Sequence, residues 1–396
     1  MRSIQFIQEK AKALLPELIQ IRREIHQNPE LSFQEFETQK LVENYLQNKL
    51  GLKTQRLANT GVVALIEGKN PQKKVVGLRA DMDALPIVEV NDGRPYRSKN
   101  EGVMHACGHD VHTTSLLGAA TILNELRNEF EGTIKLVFQP GEEKLPGGAS
   151  LMIADGVLND PKVDVMIGQH VMPLLNTGKI GIRKGLYMAS TDELYVTVKG
   201  KGGHGAIPNL AVDSVLIAAH IVVALQQIVS RNANPAMHSV LSFGKVIAQG
   251  ATNVLPDEVK MEGTFRTMDE TWREEAHKRM IKMAQGIAES MGGSVDFEIK
   301  RGYPFLKNDE LISKICREAA EEYVGKEQVK PLDIWMAAED FAYYSQEVPS
   351  CFYRLGTRNE EKGTGVSVHN AKFDVDEDAI EQGAGLFAYM AIKHLL

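Results

Sequence analysis

Between residues 61 and 168 short, unbroken apolar runs alternate with longer stretches of helical periodicity, and few folds accommodate that rhythm. The segments GVVALIEG (61–68), KVVGLRADMDALP (74–86), GTIKLVFQ (132–139) and VDVMIG (163–168) are interleaved with DVHTTSLLGAATILNELRNEF (110–130) and GGASLMIADGVL (147–158). Strands that are apolar throughout are covered on both faces, which predicts an α/β fold with a mostly parallel sheet. From about residue 190 the pattern changes. A strand-like ELYVTVKG (193–200), a helical 211–231, strand-like 239–247 and 259–267, a helical 269–291 stopped by Gly292 and Gly293, and a strand-like 294–300 follow in order. Strand, helix, strand, strand, helix, strand is the ferredoxin-like split motif, an α+β unit that can stand alone. After Gly302 and Pro304 helix and strand patterns return. The sequence therefore predicts a discontinuous main domain (1–186 and 300–396) with a smaller domain (187–299) inserted into it, and 396 residues suit two cores better than one.

Forty-five basic against fifty-two acidic side chains give a formal net charge of -7, which offers no electrostatic reason to expect a nucleic-acid or membrane partner. The longest nearly unbroken apolar stretch, Val215 to Leu225, is shorter than the roughly 20 residues a bilayer requires. Three cysteines, Cys107, Cys316 and Cys351, write no disulfide framework. The N-terminus mixes acids and bases at helical spacing and lacks the apolar core of a signal peptide, so a cytoplasmic setting is expected.

Potential metal-binding side chains crowd at MHACGHDVH, where His105, Cys107, His109 and His112 fall within eight residues before a helix. If the segment is extended, Cys107 and His109 share a face and can aim thiolate and imidazole at one centre. The alternative is a capped helix start, with Asp110 as a plausible cap, around a buried thiol. In FQPGEEKLPGG an apolar strand runs into the adjacent carboxylates Glu142 and Glu143. A metal site would use one as a ligand and the other as the base that takes a proton from water; a solvated acidic turn is the alternative. His170 follows the apolar run VDVMIGQ, and His369 follows the strand-like SCFYRLG (350–356). These groups all lie near carboxyl ends of expected strands, where open α/β sheets form their ligand crevice. One thiolate, one carboxylate and three imidazoles exceed a tetrahedral zinc site and suit two metals. Asp81 and Asp83 in RADMDALP share one face; either orients a histidine ligand through its second ring nitrogen or belongs to a turn.

RADMDALP (79–86), MHACGHDVH (104–112), VFQPGEE (137–143), the GQH ending at His170, GKGGHGAIP (200–208), NVLPDEV (253–259), GTFRT (263–267), AEDFAYY (338–344) and VHNAKFDVDED (368–378) together resemble the aminoacylase-type dimetal metallopeptidase family. The resemblance is to its amidohydrolase branch, which contains hippurate hydrolase, plant auxin-conjugate hydrolases and bacterial N-acyl amino acid deacylases, and it covers essentially the whole chain. It implies a dinuclear catalytic domain with an inserted lid that also mediates dimerisation, giving a homodimer or a tetramer. Cys107, His109, Glu143, His170 and His369 match the branch's metal ligands, Glu142 its general base, and His204 a histidine that stabilises the oxyanion, commonly in the partner subunit's site. Asn253 and Arg266 match lid residues that hold substrate. In the wider family the position of Asp81 is usually a histidine ligand, which leaves its role open here, whereas Asp83 keeps a supporting place behind a ligand. Glu339 is a candidate support for His369.

The implied reaction is hydrolysis of an N-acyl amino acid or very short peptide. Two divalent ions, manganese, zinc, cobalt or nickel, lower the pKa of water from about 15.7 toward roughly 7. Arg266 pairs with the substrate carboxylate. Hinges near 186–190 and 299–304 are expected to let the lid close. Rival readings are a dipeptide exopeptidase, a thiol hydrolase using Cys107 and His109, and a non-catalytic protein that binds an acyl amino acid or a metal.

Overall fold

A computed structural model of the chain describes residues 4–396; Met1–Ser3, at the start of the expected first domain, lie outside the described residues. The chain forms two compact units, one of Met1–Tyr187, Lys307–Asp333 and Asp340–Leu396, the other of Met188–Leu306 and Ile334–Glu339.

The larger unit opens with helices α1 (Ile4–Gln27) and α2 (Phe36–Asn44), strands β1 (Thr54–Leu57), β2 (Gly61–Glu67) and β3 (Val75–Asp81), helix α3 (His109–Leu126), strand β4 (Thr133–Gln139), helix α4 (Gly148–Ala154) and strands β5 (Val165–Asn176), β6 (Ile180–Ile182) and β7 (Gly185–Met188). The smaller unit contributes β8 (Asp192–Lys199), β9 (Gly203–His204), α5 (Ser214–Gln227), β10 (Ser239–Ala248), β11 (Val254–Leu255), β12 (Glu258–Thr267), α6 (Glu270–Ser290) and β13 (Ser294–Arg301). The chain ends with β14 (Leu306–Asn308), α7 (Glu310–Val324), β15 (Val329–Pro331), α8 (Ala342–Glu347), β16 (Ser350–Arg358) and α9 (Ala379–Leu395).

The large sheet has the order β1-β2-β4-β3-β5-β16-β6-β15. Its centre, from β4 through β3 and β5 to β16, is parallel, and antiparallel neighbours flank it. Every residue of β3 and β4 is buried, as the apolar runs require. Helix α3, rich in alanine and leucine and buried around most of its circumference, packs with α1 and α9 on this core. Register then places the functional ends: β3 on β4 sets Asp81 opposite Gln139, and β16 on β5 sets Arg354 opposite His170.

In the smaller unit the sheet order β10-β12-β8-β13, wholly antiparallel, is that of the split motif. Alternate residues of β8 (Leu194, Val196, Val198) meet Ile217, Ile221 and Leu225 of α5 and Ala276, Met280 and Ala284 of α6. Asp213 and Asp269 cap those helices, accepting from Val215 and Leu216 N–H and from Trp272 N–H. The unit runs past the expected boundary at residue 299. Gly302 stays tied to it by its N–H to the Thr191 carbonyl, and 334–339 is held by Ala189 N–H to the Trp335 and Ala337 carbonyls. The apolar stretch at 215–225 also proves longer as a helix. Among the described residues, Ser214–Asn232 is long and apolar enough to cross a membrane by length and composition, yet one face fills this unit's core.

Candidate metal centre

The loop carrying Cys107 ends at Gly108, whose φ is 80°. A Cβ there would lie 2.5 Å from Val171 Cγ2, so only glycine lets the loop lie against β5. Helix α3 begins at His109. The expected extended stretch is therefore absent; a left-handed turn into a helix brings Cys107 and His109 together. Asp110 does not cap that helix. Gly108 holds the cap position, and the Asp110 carboxylate accepts from Arg22 Nε and from His26 Nδ1, both at 2.7 Å.

The turn after β4 is held from two sides. Glu35 accepts the N–H groups of Gly141 (2.8 Å) and Phe33 (2.9 Å) and the hydroxyl of Thr60 (2.6 Å). Burial and the charge of Asp83 push the Glu35 carboxyl up to about 7. Asp83 accepts the Glu143 N–H at 2.9 Å and the Ser32 hydroxyl at 2.6 Å. Glu35 is a site residue that no motif in the sequence marks. Its only local signal is an acid set among apolar residues in ELSFQEF, which an amphipathic helix start explains equally well. Glu142 is buried, and its Oε1 accepts the Asp340 N–H at 3.3 Å.

His170 lies within β5 and not past its end, as the apolar run suggested, because β5 continues along β16 after its pairing with β3 stops at Gly168. Its Nδ1 donates to the Val171 carbonyl at 2.8 Å, and its Nε2 is 3.3 Å from Cys107 Sγ. His369 adopts φ 60°, gives its N–H to the Ala106 carbonyl at 2.8 Å and sets Nε2 3.1 Å from Glu143 Oε1. Cys107, His109 and His170 form one group of donors; Cys107, Glu143 and His369 form a second; His109, Glu142 and Glu143 form a third. Within each group the donor atoms lie within 4.8 Å of one another. The crowded motif divides accordingly. His105 is buried with neither ring nitrogen bonded among the described residues, and burial lowers its pKa to about 3, while His112 approaches Asp81.

The electrostatics fit a bound cation. His109 Nδ1 donates to Asp83 Oδ1 at 3.1 Å, whereas its buried Nε2 makes no hydrogen bond among the described residues and faces carboxylate oxygens of Asp81 and Glu143 at 3.8 and 4.0 Å. Burial opposes charge on His109, yet Asp81, Asp83 and Glu143 outweigh it and raise the pKa to about 10. The field that holds that proton is equally available to a metal ion, whose charge would displace it. Burial, with Glu143 and Glu142, pushes the Cys107 thiol well above its usual range. A nucleophilic cysteine needs the opposite shift, whereas a thiolate ligand forms when the cation arrives.

Four of the expected residues belong to the smaller unit. His204 pairs with Val254 in the β9–β11 ribbon, and Asn253 closes it by accepting the Gly205 N–H at 2.8 Å. His204 Nδ1 accepts the Ala206 N–H at 3.1 Å, so the neutral ring carries its proton on Nε2. Arg266 on β12 is partly buried, bonds the Thr264 hydroxyl at 3.2 Å and forms no ion pair among the described residues. Glu339 falls in the 334–339 segment of the same unit.

An α/β unit with thiolate, imidazole and carboxylate donors gathered at its strand ends, and a split-motif unit inserted into it, is the architecture of a two-domain metallohydrolase. Residues 77–393 match the model of peptidase family M20/M25/M40, and the chain belongs to that family. It is 41% identical to an N-acetyl-L-cysteine deacetylase of Bacillus subtilis over 96% of this chain and 88% of that protein. It is 39% identical to the IAA-amino acid hydrolase ILR1-like 5 of Arabidopsis thaliana, over 96% and 87% of the two chains. A solved structure from Bacillus subtilis, described as a dinuclear metal binding peptidase from the M20 family, superposes with a TM-score of 0.83 at 35% identity, covering 97% of this chain and 99% of that one. The chain is accordingly a metal-dependent hydrolase of the amidohydrolase and peptidase type.

Proposed function

We propose that this protein hydrolyses the amide bond of N-acyl amino acids at a dinuclear centre held by Cys107, His109, Glu143, His170 and His369. The observation that carries the reading is the overlap of the donor groups: two triads share Cys107, and Glu142 stands with His109 and Glu143 in a third. When bound, two divalent ions supply a Lewis acid for the carbonyl and a lowered pKa for the attacking water. Glu142, a second carboxylate beside the ligands, takes the proton from that water and passes it to the leaving amine. His204, with its proton on Nε2, donates to the oxygen on which negative charge develops. Arg266, which forms no ion pair among the described residues, offers its guanidinium fork to the substrate carboxylate, and Asn253 helps hold the substrate. Asp83 fixes the His109 ring through Nδ1, as outer partners of metal-bound histidines do.

Thiolate and imidazole donors favour zinc, manganese, cobalt or nickel over calcium and magnesium. The two named relatives both act, by their names, on amino-acid conjugates, which supports the substrate class. The Bacillus subtilis structure's description as a peptidase supports dipeptides as a second substrate class. Exposed Val215, Leu216 and Val223 on α5 and Val246 and Ile247 on β10 support a homodimer through the smaller unit. Three free cysteines, all buried, accord with a reducing cytoplasm.

The test is turnover of a panel of acylated amino acids and dipeptides by chelated protein reconstituted with each of the four ions. Ion-dependent hydrolysis of the acylated members is expected. Measurable binding without hydrolysis under every ion would leave a binding protein in place of an enzyme.

A further inference from the structure

Asp81, His109 and His112 also bring three donor atoms within 4.8 Å of one another, which on distances alone is another candidate for an ion. Their hydrogen bonds exclude that use. Arg79, buried completely, donates to Asp81 Oδ2, and His112 Nδ1 meets Asp81 Oδ1 at 2.5 Å. Both carboxylate oxygens are thereby engaged. The second nitrogen of His112 is engaged too, because the Val171 N–H donates to Nε2 at 2.9 Å. A backbone N–H only donates, so Nε2 is the acceptor and the ring proton sits on Nδ1, facing the carboxylate.

Val171 is held on its other side by a potential ligand. Its carbonyl accepts from His170 Nδ1 at 2.8 Å. A carbonyl only accepts, so His170 carries its proton on Nδ1 and keeps the Nε2 lone pair, which lies 3.3 Å from Cys107 Sγ. Val171 Cγ2 is also the atom that a Cβ on Gly108 would strike at 2.5 Å, so the same residue sets how closely the Cys107 loop approaches.

We infer that His112 is a positioning residue for His170 and Cys107, acting through the Val171 backbone, and that Asp81 is its anchor and not a ligand. The inference rests on the reading of His170 and Cys107 as ligands. The chain of contacts runs from Arg79 to Asp81, His112, the Val171 N–H, the Val171 carbonyl and His170. A displaced His112 frees the Val171 N–H, and the backbone that presents the His170 lone pair loses its register.

Two substitutions separate the halves of this device. An asparagine amide places its polar atoms where Nδ1 lies and reaches Asp81, but not the Val171 N–H. A glutamine amide places them where Nε2 lies and can accept from the Val171 N–H. Metal-stripped full-length parent, His112→Gln and His112→Asn proteins are titrated with cobalt(II), reading the thiolate-to-cobalt charge-transfer band and the d–d bands. The parent is expected to show the thiolate band, His112→Gln to keep it with nearly parental affinity, and His112→Asn to lose about 10- to 100-fold in affinity with altered d–d bands. Equal behaviour of the two variants overturns the inference while leaving the ligand reading intact. A parent without a thiolate band overturns both. Should His112→Asn fail to fold, Asp81→Asn decides: an anchor keeps the parental d–d bands when an amide oxygen still accepts from His112, whereas altered d–d bands with a lost oxygen donor would show a ligand.

Discussion

His109 Nδ1 lies 3.1 Å from Asp83 Oδ1, and the other oxygen of the same carboxylate accepts the Glu143 N–H at 2.9 Å. One side chain therefore orients an imidazole from the start of α3 and a carboxylate from the turn after β4. An asparagine has one oxygen and cannot accept both bonds. Asp83→Asn should lower metal affinity by about 10- to 100-fold, measured by competition against a chelator. Parental affinity would remove Asp83 from the support of the site.

Glu142→Gln keeps the shape of the side chain and removes its basicity. Turnover should fall by about 10²- to 10⁴-fold or more, while metal content, read by elemental analysis, stays near that of the parent. Full activity would exclude Glu142 as the base.

Among the described residues the Arg266 guanidinium has a single hydroxyl partner, and burial lowers its pKa. A substrate carboxylate would supply the missing counter-charge. Arg266→Ala should raise KM for acyl amino acids with free carboxylates and leave acyl amino acid amides little changed. An equal loss on both substrates would count against carboxylate recognition.

Burial holds His105 at a pKa of about 3, against 6.5 for the free side chain. Between those values the unfolded chain takes up a proton that the folded protein refuses, so stability falls as pH drops below about 6.5. The loss is on the order of 2 kcal/mol at pH 5. Urea midpoints at pH 7 and pH 5 measure it, and His105→Phe should flatten the difference; an unchanged slope would assign the acid sensitivity elsewhere.

Arg22 is fully buried and pairs with Asp110 at 2.7 Å, Asp374 at 3.1 Å and Glu377 at 3.3 Å, joining α1 to α3 and to the segment before α9. Arg22→Met leaves Asp110 without its guanidinium partner in the interior. Stability should fall by about 3–5 kcal/mol, visible as a lower urea midpoint, because removing one partner strands a buried charge.

Much of the fold was legible in the sequence because it rests on local periodicity. Apolar runs such as 132–139 are buried on both faces as β4, and the spacing of 193–200 returns as the alternating burial of β8. The site was legible as residue types: neighbouring carboxylates at Glu142 and Glu143, and Cys107 two positions from His109. Its local geometry was not. Cys107 and His109 meet through a left-handed Gly108, which the packing of Val171 requires, and not through an extended strand. His170 lies inside a strand whose length depends on pairing with β16, formed almost two hundred residues later in the chain.

The sequence alone thus determined the element types and the inventory of donors, since both follow from side-chain chemistry and short-range spacing. Only the tertiary structure decided which donors face one another and how each imidazole is protonated. Glu35 on the Gly141 N–H and the Val171 N–H on His112 are contacts between segments far apart in the chain. A hydrogen-bond partner supplied by a distant backbone leaves no pattern along the sequence, yet it settles which ring nitrogen keeps a lone pair for a metal.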